Sequence, residues 1–343
     1  MTSLATTTTV EQPVATAAPS TRLDALDWTK GSLVVFMVVY HAINYSAFRP
    51  YAFRFLAFLP PSFILIAGFL VGQVYAAKYN LKSWKPYKRV ATRGIKLLAV
   101  FVALNVAHCV ALEHSLYGGI SEFARRSSAI FLSGNGRDGV YEVLLPIAYF
   151  LLLAPGLLWL RTRASSSVGI CAAAVFLLCL ALERNGTPYK NLDLLSAGII
   201  GMALGMVPME RIERLSARWI LVVVLYLLYR LCSFSMGDPY PVQTFGAVVT
   251  VLLLYCCADH MNLGEWFGPQ VILLGRYTLL GYLVQIAILQ AAVKIFGGRP
   301  AQVAGVVAFG VATVVLTYFI VWAVHGLRQV SHVVDAAYKT VFA

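Results

Sequence analysis

The chain has 343 residues, of which 59% are hydrophobic and 12% charged, about half the ~25% charged content of ordinary soluble domains. Too few charges are present to cover so much apolar surface, so a soluble enzyme and a disordered chain are both excluded. The net charge of +12 fits basic loops facing anionic lipid. The basic residues are scattered between apolar runs and form no solvated stripe, so no nucleic-acid partner is expected.

Residues 1–22 are rich in Thr, Ala, Val and Pro, and Glu11 is the one charge before Arg22. They lack the basic start and continuous apolar core of a secretory signal and read as a disordered cytoplasmic tail. Apolar runs of membrane-crossing length follow, near 27–48, 55–78, 90–112, 141–160, 167–183, 192–208, 218–234, 243–258, 271–296 and 303–326. Lipid offers no partner to an unpaired peptide group, so these runs must be helices. The predicted fold is an all-α integral membrane protein of about ten transmembrane helices, filling residues 23–327.

An even number of spans puts both termini on one side. That side collects Lys78, Lys82, Lys85, Lys88 and Arg89 in one connection, Arg161 and Arg163 in another, and Arg211, Arg214 and Arg218 in a third. The bias predicts both termini in the cytoplasm, in a multi-pass protein of a bacterial inner (plasma) membrane. The outer connection 114–140 carries Gly118, Gly119, Gly134 and Gly136 and is expected to fold over the outer mouth. Residues 328–343 carry an apolar stripe at Val330, Val333, Val334, Ala337 and Val341, which predicts an amphipathic interfacial helix. The six Cys lie in or beside apolar stretches without metal-ligand spacing. They read as small buried hydrophobes, and no metal is expected.

Ionisable groups inside lipid are costly and tend to mark function. In the first span His41 lies within the apolar run and Lys30 near its cytoplasmic end. Eleven residues give about 16.5 Å of rise and about 20° beyond three full turns, so both share one face. Asp27, Asn44 and Tyr45 lie within about 60° of that face. The alternative is a core histidine with a snorkelling lysine. The third span opens with Lys85, Arg89, Arg93 and Lys96 on one row. Like charges at this spacing repel and call for an anion, either lipid phosphate or a bound phosphorylated cofactor. His108, Glu113 and His114 cluster at the outer end of that span, where they can bind a polar acceptor or form a solvated helix end. Glu142 and Asp193 begin spans four and six and need no catalytic role there. In LGRYTLLGYLVQ, Arg276 sits near the cytoplasmic end of span nine, and Tyr282 and Gln285 can hydrogen-bond across helices. His260 reads as a loop residue, and Gly68 and Gly72 as close-packing positions.

Asp27, Lys30, Gly31 and His41 together resemble the first helix of the integral-membrane acyltransferase superfamily. That group includes acyltransferase family three, the glucan succinyltransferases and the heparan-alpha-glucosaminide N-acetyltransferases. Its pattern of a basic residue, ten others and a His is matched by Lys30 through His41, with Lys in place of the usual Arg. PSFILIAGFLVG is similar to the family's second span, and the Arg89–Arg93 pair to its basic third span, one residue wider. LGRYTLLGYLVQ is similar to a late family helix in which the position of Gln285 is often His. The resemblance implies cytoplasmic acyl-CoA, usually acetyl-CoA, as donor, with its phosphates at Lys30, Arg89 and Arg93. It implies His41 as general base or acyl carrier, Asn44 or Tyr45 as oxyanion donor, and a glycan or lipid-linked sugar hydroxyl as acceptor. The competing reading is a transporter or exporter of a carbohydrate or lipid intermediate without acyl transfer.

Overall fold

The computed structural model describes residues 21–76, 79–108, 125, 127–134, 141–260 and 267–342. Among them the secondary structure is entirely helical. The chain runs through α1 (Thr21–Asn44), α2 (Arg49–Leu56), α3 (Leu59–Leu70, prolonged as a π-helical turn Val71–Ala76) and α4 (Lys85–His108). It continues through α5 (Leu144–Arg163), α6 (Ser167–Arg184), α7 (Lys190–Gly205), α8 (Met209–Ser216), α9 (Trp219–Met236) and α10 (Tyr240–His260). The last elements are α11 (Gly268–Arg276), α12 (Thr278–Ile295), α13 (Val303–Val330) and α14 (His332–Phe342).

Eight of these helices are long and apolar enough to cross a membrane: Arg54–Ala76, α4, α5, α6, α9, α10, α12 and α13. The chain is a multi-pass membrane protein. Helix α7 qualifies only together with α8, from which it is bent by 99°. Helix α1 falls outside the eight because its polar ends, Asp24, Asp27 and Lys30 at one and His41 and Asn44 at the other, dilute an apolar middle. It is nevertheless central. Leu33, Val34, Met37 and Val38 are at most 1% exposed, and α1 packs on α2, α3, α10, α11, α12 and α13.

Three boundaries differ from the sequence expectation. The first span stops at Asn44, and Arg49–Leu56 is a separate short helix with proline in its first turn. The sixth stops at Gly205, because Pro208 forces the preceding backbone out of the helical region. The expected ninth span, 271–296, is two helices broken at Tyr277. His260, expected in a loop, is the last residue of α10.

Glycine decides two of the closest helix contacts. In the α3–α7 pair a Cβ on Gly68 would strike the Gly198 carbonyl, and Cβ atoms on Gly201 and Gly205 would strike the Leu65 and Phe69 carbonyls. The two backbones therefore touch, which is the small-residue packing that lipid favours. In the α1–α11 pair Gly31 faces the Val271 carbonyl and Gly275 the Asp27 carbonyl. That register makes α11 antiparallel to α1. Gly281 lies against Val34, and Gln290 bonds to Tyr45, so α12 runs parallel to α1. The chain thus reverses at Tyr277.

Helix α14 lies beside that reversal. Arg328 bonds Asp335 at 2.7 and 3.0 Å and the Tyr277 hydroxyl at 2.9 Å, and its guanidinium stands 3.9 Å from the Tyr338 ring centroid. Hydrogen bonds from Lys339 and Arg328 hold the Asp335 carboxyl below its ordinary value. Burial pushes the Tyr338 phenol up to about 12.

Candidate active site

The chemistry-bearing residues of α1 fall at its two ends. At the N-terminal end Asp27 and Lys30, one turn apart, pair at 2.6 Å. The glycine contact between α1 and α11 delivers Arg276 to the same place, 3.4 Å from Asp27 and 3.0 Å from Asp24. Two acids and two bases close into a network, and Lys30, with 19% of its side chain exposed, is held by a carboxylate. Asp27 is turned to these cations, and fourteen residues of helix, about 21 Å, separate it from His41. It therefore orients the end of α1 and does not touch the imidazole.

At the other end His41 sits in the last turn of α1. Its Nε2 is buried and makes no hydrogen bond. The ring is edge-on to Tyr40, with centroids 5.2 Å apart, and 6.3 Å from Tyr282 of α12. Tyr282 in turn meets Tyr141 edge-on at 6.1 Å. One turn beyond Tyr282, Gln285 is 0% exposed, and neither its amide oxygen nor its nitrogen has a partner. A buried amide without partners is costly, which marks this stretch of α12 as shaped for something besides packing. Gln290 Nε2 donates to the Tyr45 hydroxyl at 3.1 Å. Asn44, half-buried, ends the helix.

A cavity of about 370 Å³ opens beside these rings, lined by His108, Tyr141, Gln290 and Lys294 among others. The structure therefore sets His41 against Tyr282 and Tyr45 against Gln290, two residues of α12, the helix that also carries Gln285, and puts His108 on the cavity. Glu113 and His114 lie outside the described residues. An imidazole nitrogen free to accept a proton can activate a hydroxyl nucleophile, and the Tyr282 and Tyr141 rings link this one to the cavity.

The basic row of α4 is only partly free. Arg89 donates to the Tyr79 hydroxyl at 2.7 Å and lies over its ring. Lys96 donates to the Lys339 carbonyl of α14 at 3.1 Å. Lys85 and Arg93 are exposed. No group of three or more metal-binding side chains occurs among the described residues.

Sequence reasoning missed Asp24, Tyr141 and Gln290. Asp24 precedes Asp27 by three positions, and that spacing was a usable signal. Tyr141 and Gln290 acquire meaning only through tertiary contacts with Tyr282 and Tyr45.

Residues 23–323 match a family model described as an acyltransferase domain. No curated protein and no solved structure matches the chain. The match spans both ends of α1, the α11–α12 reversal and most of α13, and by it the chain belongs to acyltransferase family 3.

Proposed function

We propose that the protein moves an acyl group, most simply acetyl, from cytoplasmic acyl-CoA to a hydroxyl of an extracytoplasmic or lipid-linked glycan. The observation that carries the reading is the buried, unpartnered Nε2 of His41, one helix length from a cluster of cations and linked through the Tyr282 and Tyr141 rings to a cavity that His108 and Gln290 also line. The acceptor occupies the cavity at Tyr141 and Gln290. His41 Nε2 takes the hydroxyl proton as the oxygen attacks the thioester carbon. The carbonyl oxygen gains negative charge, and the Tyr45 hydroxyl or the Gln285 amide nitrogen is assigned to donate to it. Collapse breaks the carbon–sulfur bond, and the thiolate leaves with the proton returned by His41.

The donor phosphates are assigned to Arg93, which is exposed on α4, and to Arg89 and Lys30, which now hold Tyr79 and Asp27. Both termini then lie in the cytoplasm of a bacterial inner membrane. A transporter would use the same cations without needing a base at His41.

The test is transfer of radiolabelled acetyl from acetyl-CoA to glycan in membranes. Replacing a positioned general base costs roughly 10²–10⁴ in rate, so His41→Ala should lose activity on that scale at unchanged protein level. Full activity in the variant would remove the base assignment.

A further inference from the structure

A second cavity, of about 250 Å³, lies away from His41, at the end of the bundle that carries the N-terminus of α1. It is enclosed by α1, α3, α7, α8 and α10, and its walls are carbon almost throughout, with Leu26, Phe69, Ile212 and Leu252 typical. The one charged side chain on the lining is Arg211, which is exposed on the first turn of α8.

The wall formed by α8 is pinned at both ends. Where the chain bends, Gln73 Nε2 donates to the Val207 carbonyl at 3.0 Å. At the far end Ser216 donates to Asp259 at 3.4 Å, and the Cys256 thiol donates to the Ser216 carbonyl at 3.3 Å. The α3–α7 wall is fixed by direct backbone contact. These restraints keep the space open where apolar walls would otherwise collapse on each other. Short and amphipathic, α8 turns Met209, Ile212 and Leu215 to the cavity, while Glu210 and Arg214 belong to its exposed face. That is how a helix lies in a membrane interface.

An enclosed apolar space opening at the interface under one cation suits an apolar chain ending in an anionic head. We infer that the cavity holds one acyl chain of an anionic membrane phospholipid, with the headgroup phosphate at Arg211. The site is separate from acyl transfer and stands whether or not the chain performs it. A fatty-acid anion offers the same chemistry, so the experiment must tell the two apart.

The full-length protein would be placed in phosphatidylcholine nanodiscs with trace amounts of a chain-labelled photoreactive probe. The probe is phosphatidylglycerol, phosphatidylcholine or free palmitate in parallel, and crosslinks are mapped by peptide. The expected result is phosphatidylglycerol crosslinking to α8 and α10, stronger than phosphatidylcholine by about fivefold, the factor corresponding to ~1 kcal/mol for a basic side chain at an anionic surface. Arg211→Gln, which removes the charge and leaves the apolar walls intact, should bring the two phospholipids level. Val251→Trp, which fills the cavity, should remove the crosslinks from both peptides. Equal labelling by the two phospholipids in the unaltered protein would overturn the inference. So would labelling by palmitate alone, or labelling that persists in Val251→Trp while that variant remains monodisperse.

Discussion

At His41 the decisive atom is Nε2, because burial denies it solvent and the surrounding aromatic rings offer it edges and faces but no hydrogen bond. If it acts only as a base, incubation with radiolabelled acetyl-CoA without acceptor should leave the denatured chain unlabelled. Label recovered on the peptide containing His41 would assign it the acyl-carrier role instead. Gln285 supplies a second test. Gln285→Leu removes a buried amide that has no partner, so the fold should be unharmed or stabilised by about 1 kcal/mol, while turnover falls. Unchanged turnover, measured against a thermal unfolding curve, would make Gln285 a packing residue. Of this site, His41, Tyr45 and Gln285 were legible as polar groups inside apolar runs. The meeting of His41 with Tyr282 and of Tyr45 with Gln290 was not, because it depends on α12 running parallel to α1, and no local pattern states which helices become neighbours. The partners of Lys30 were hidden for the same reason. Arg276, 246 positions later, shares the Asp27 carboxylate with it and completes a charge network.

Among the elements, α11 was the least readable. Residues 271–296 have the composition of a single crossing, and only the Gly31–Val271 and Gly275–Asp27 contacts reveal the reversal at Tyr277. Gly275→Val should therefore drive a side chain into the Asp27 carbonyl, separate α1 from α11 and cost roughly 3 kcal/mol or more, beyond ordinary overpacking because backbone must move. Thermal unfolding in detergent measures it. For α14, the carboxyl of Asp335 sits below its ordinary value owing to Lys339 and Arg328. A depressed value in the docked state means that this contribution is full above the ordinary carboxylate range near ~3.9. It is lost as pH falls through the lower docked value. Protection of Val333–Phe342 from hydrogen exchange, taken relative to the intrinsic rate at each pH, should thus be level from neutral pH down to the ordinary carboxylate range and fall below it. Asp335→Asn should be weakly protected throughout, with no such step.

For the whole molecule, composition alone fixed the membrane and the helical class, since 12% charged residues leave no other solvent for so much carbon. Sidedness is a separate matter and rests on the loop arginines. Cysteines introduced at Ala164 and Asn185, at the two ends of α6, in an otherwise cysteine-free chain should report it. With the donor on the cytoplasmic side, an impermeant thiol reagent applied to intact cells should modify position 185 and spare 164. The opposite pattern would invert the protein and detach the cations of α4 from cytoplasmic acyl-CoA.

The glycine contacts carry one more implication, for how this lineage can change. At Gly31, Gly68, Gly201, Gly205 and Gly275 the atom in the way of any larger residue is a carbonyl oxygen, a group every amino acid possesses. A selection for second-site suppressors of substitutions there should come back empty, because trimming a neighbour cannot make room. At Gly198 the obstruction includes the Phe150 ring, a side chain, and revertants with a smaller residue at position 150 should arise.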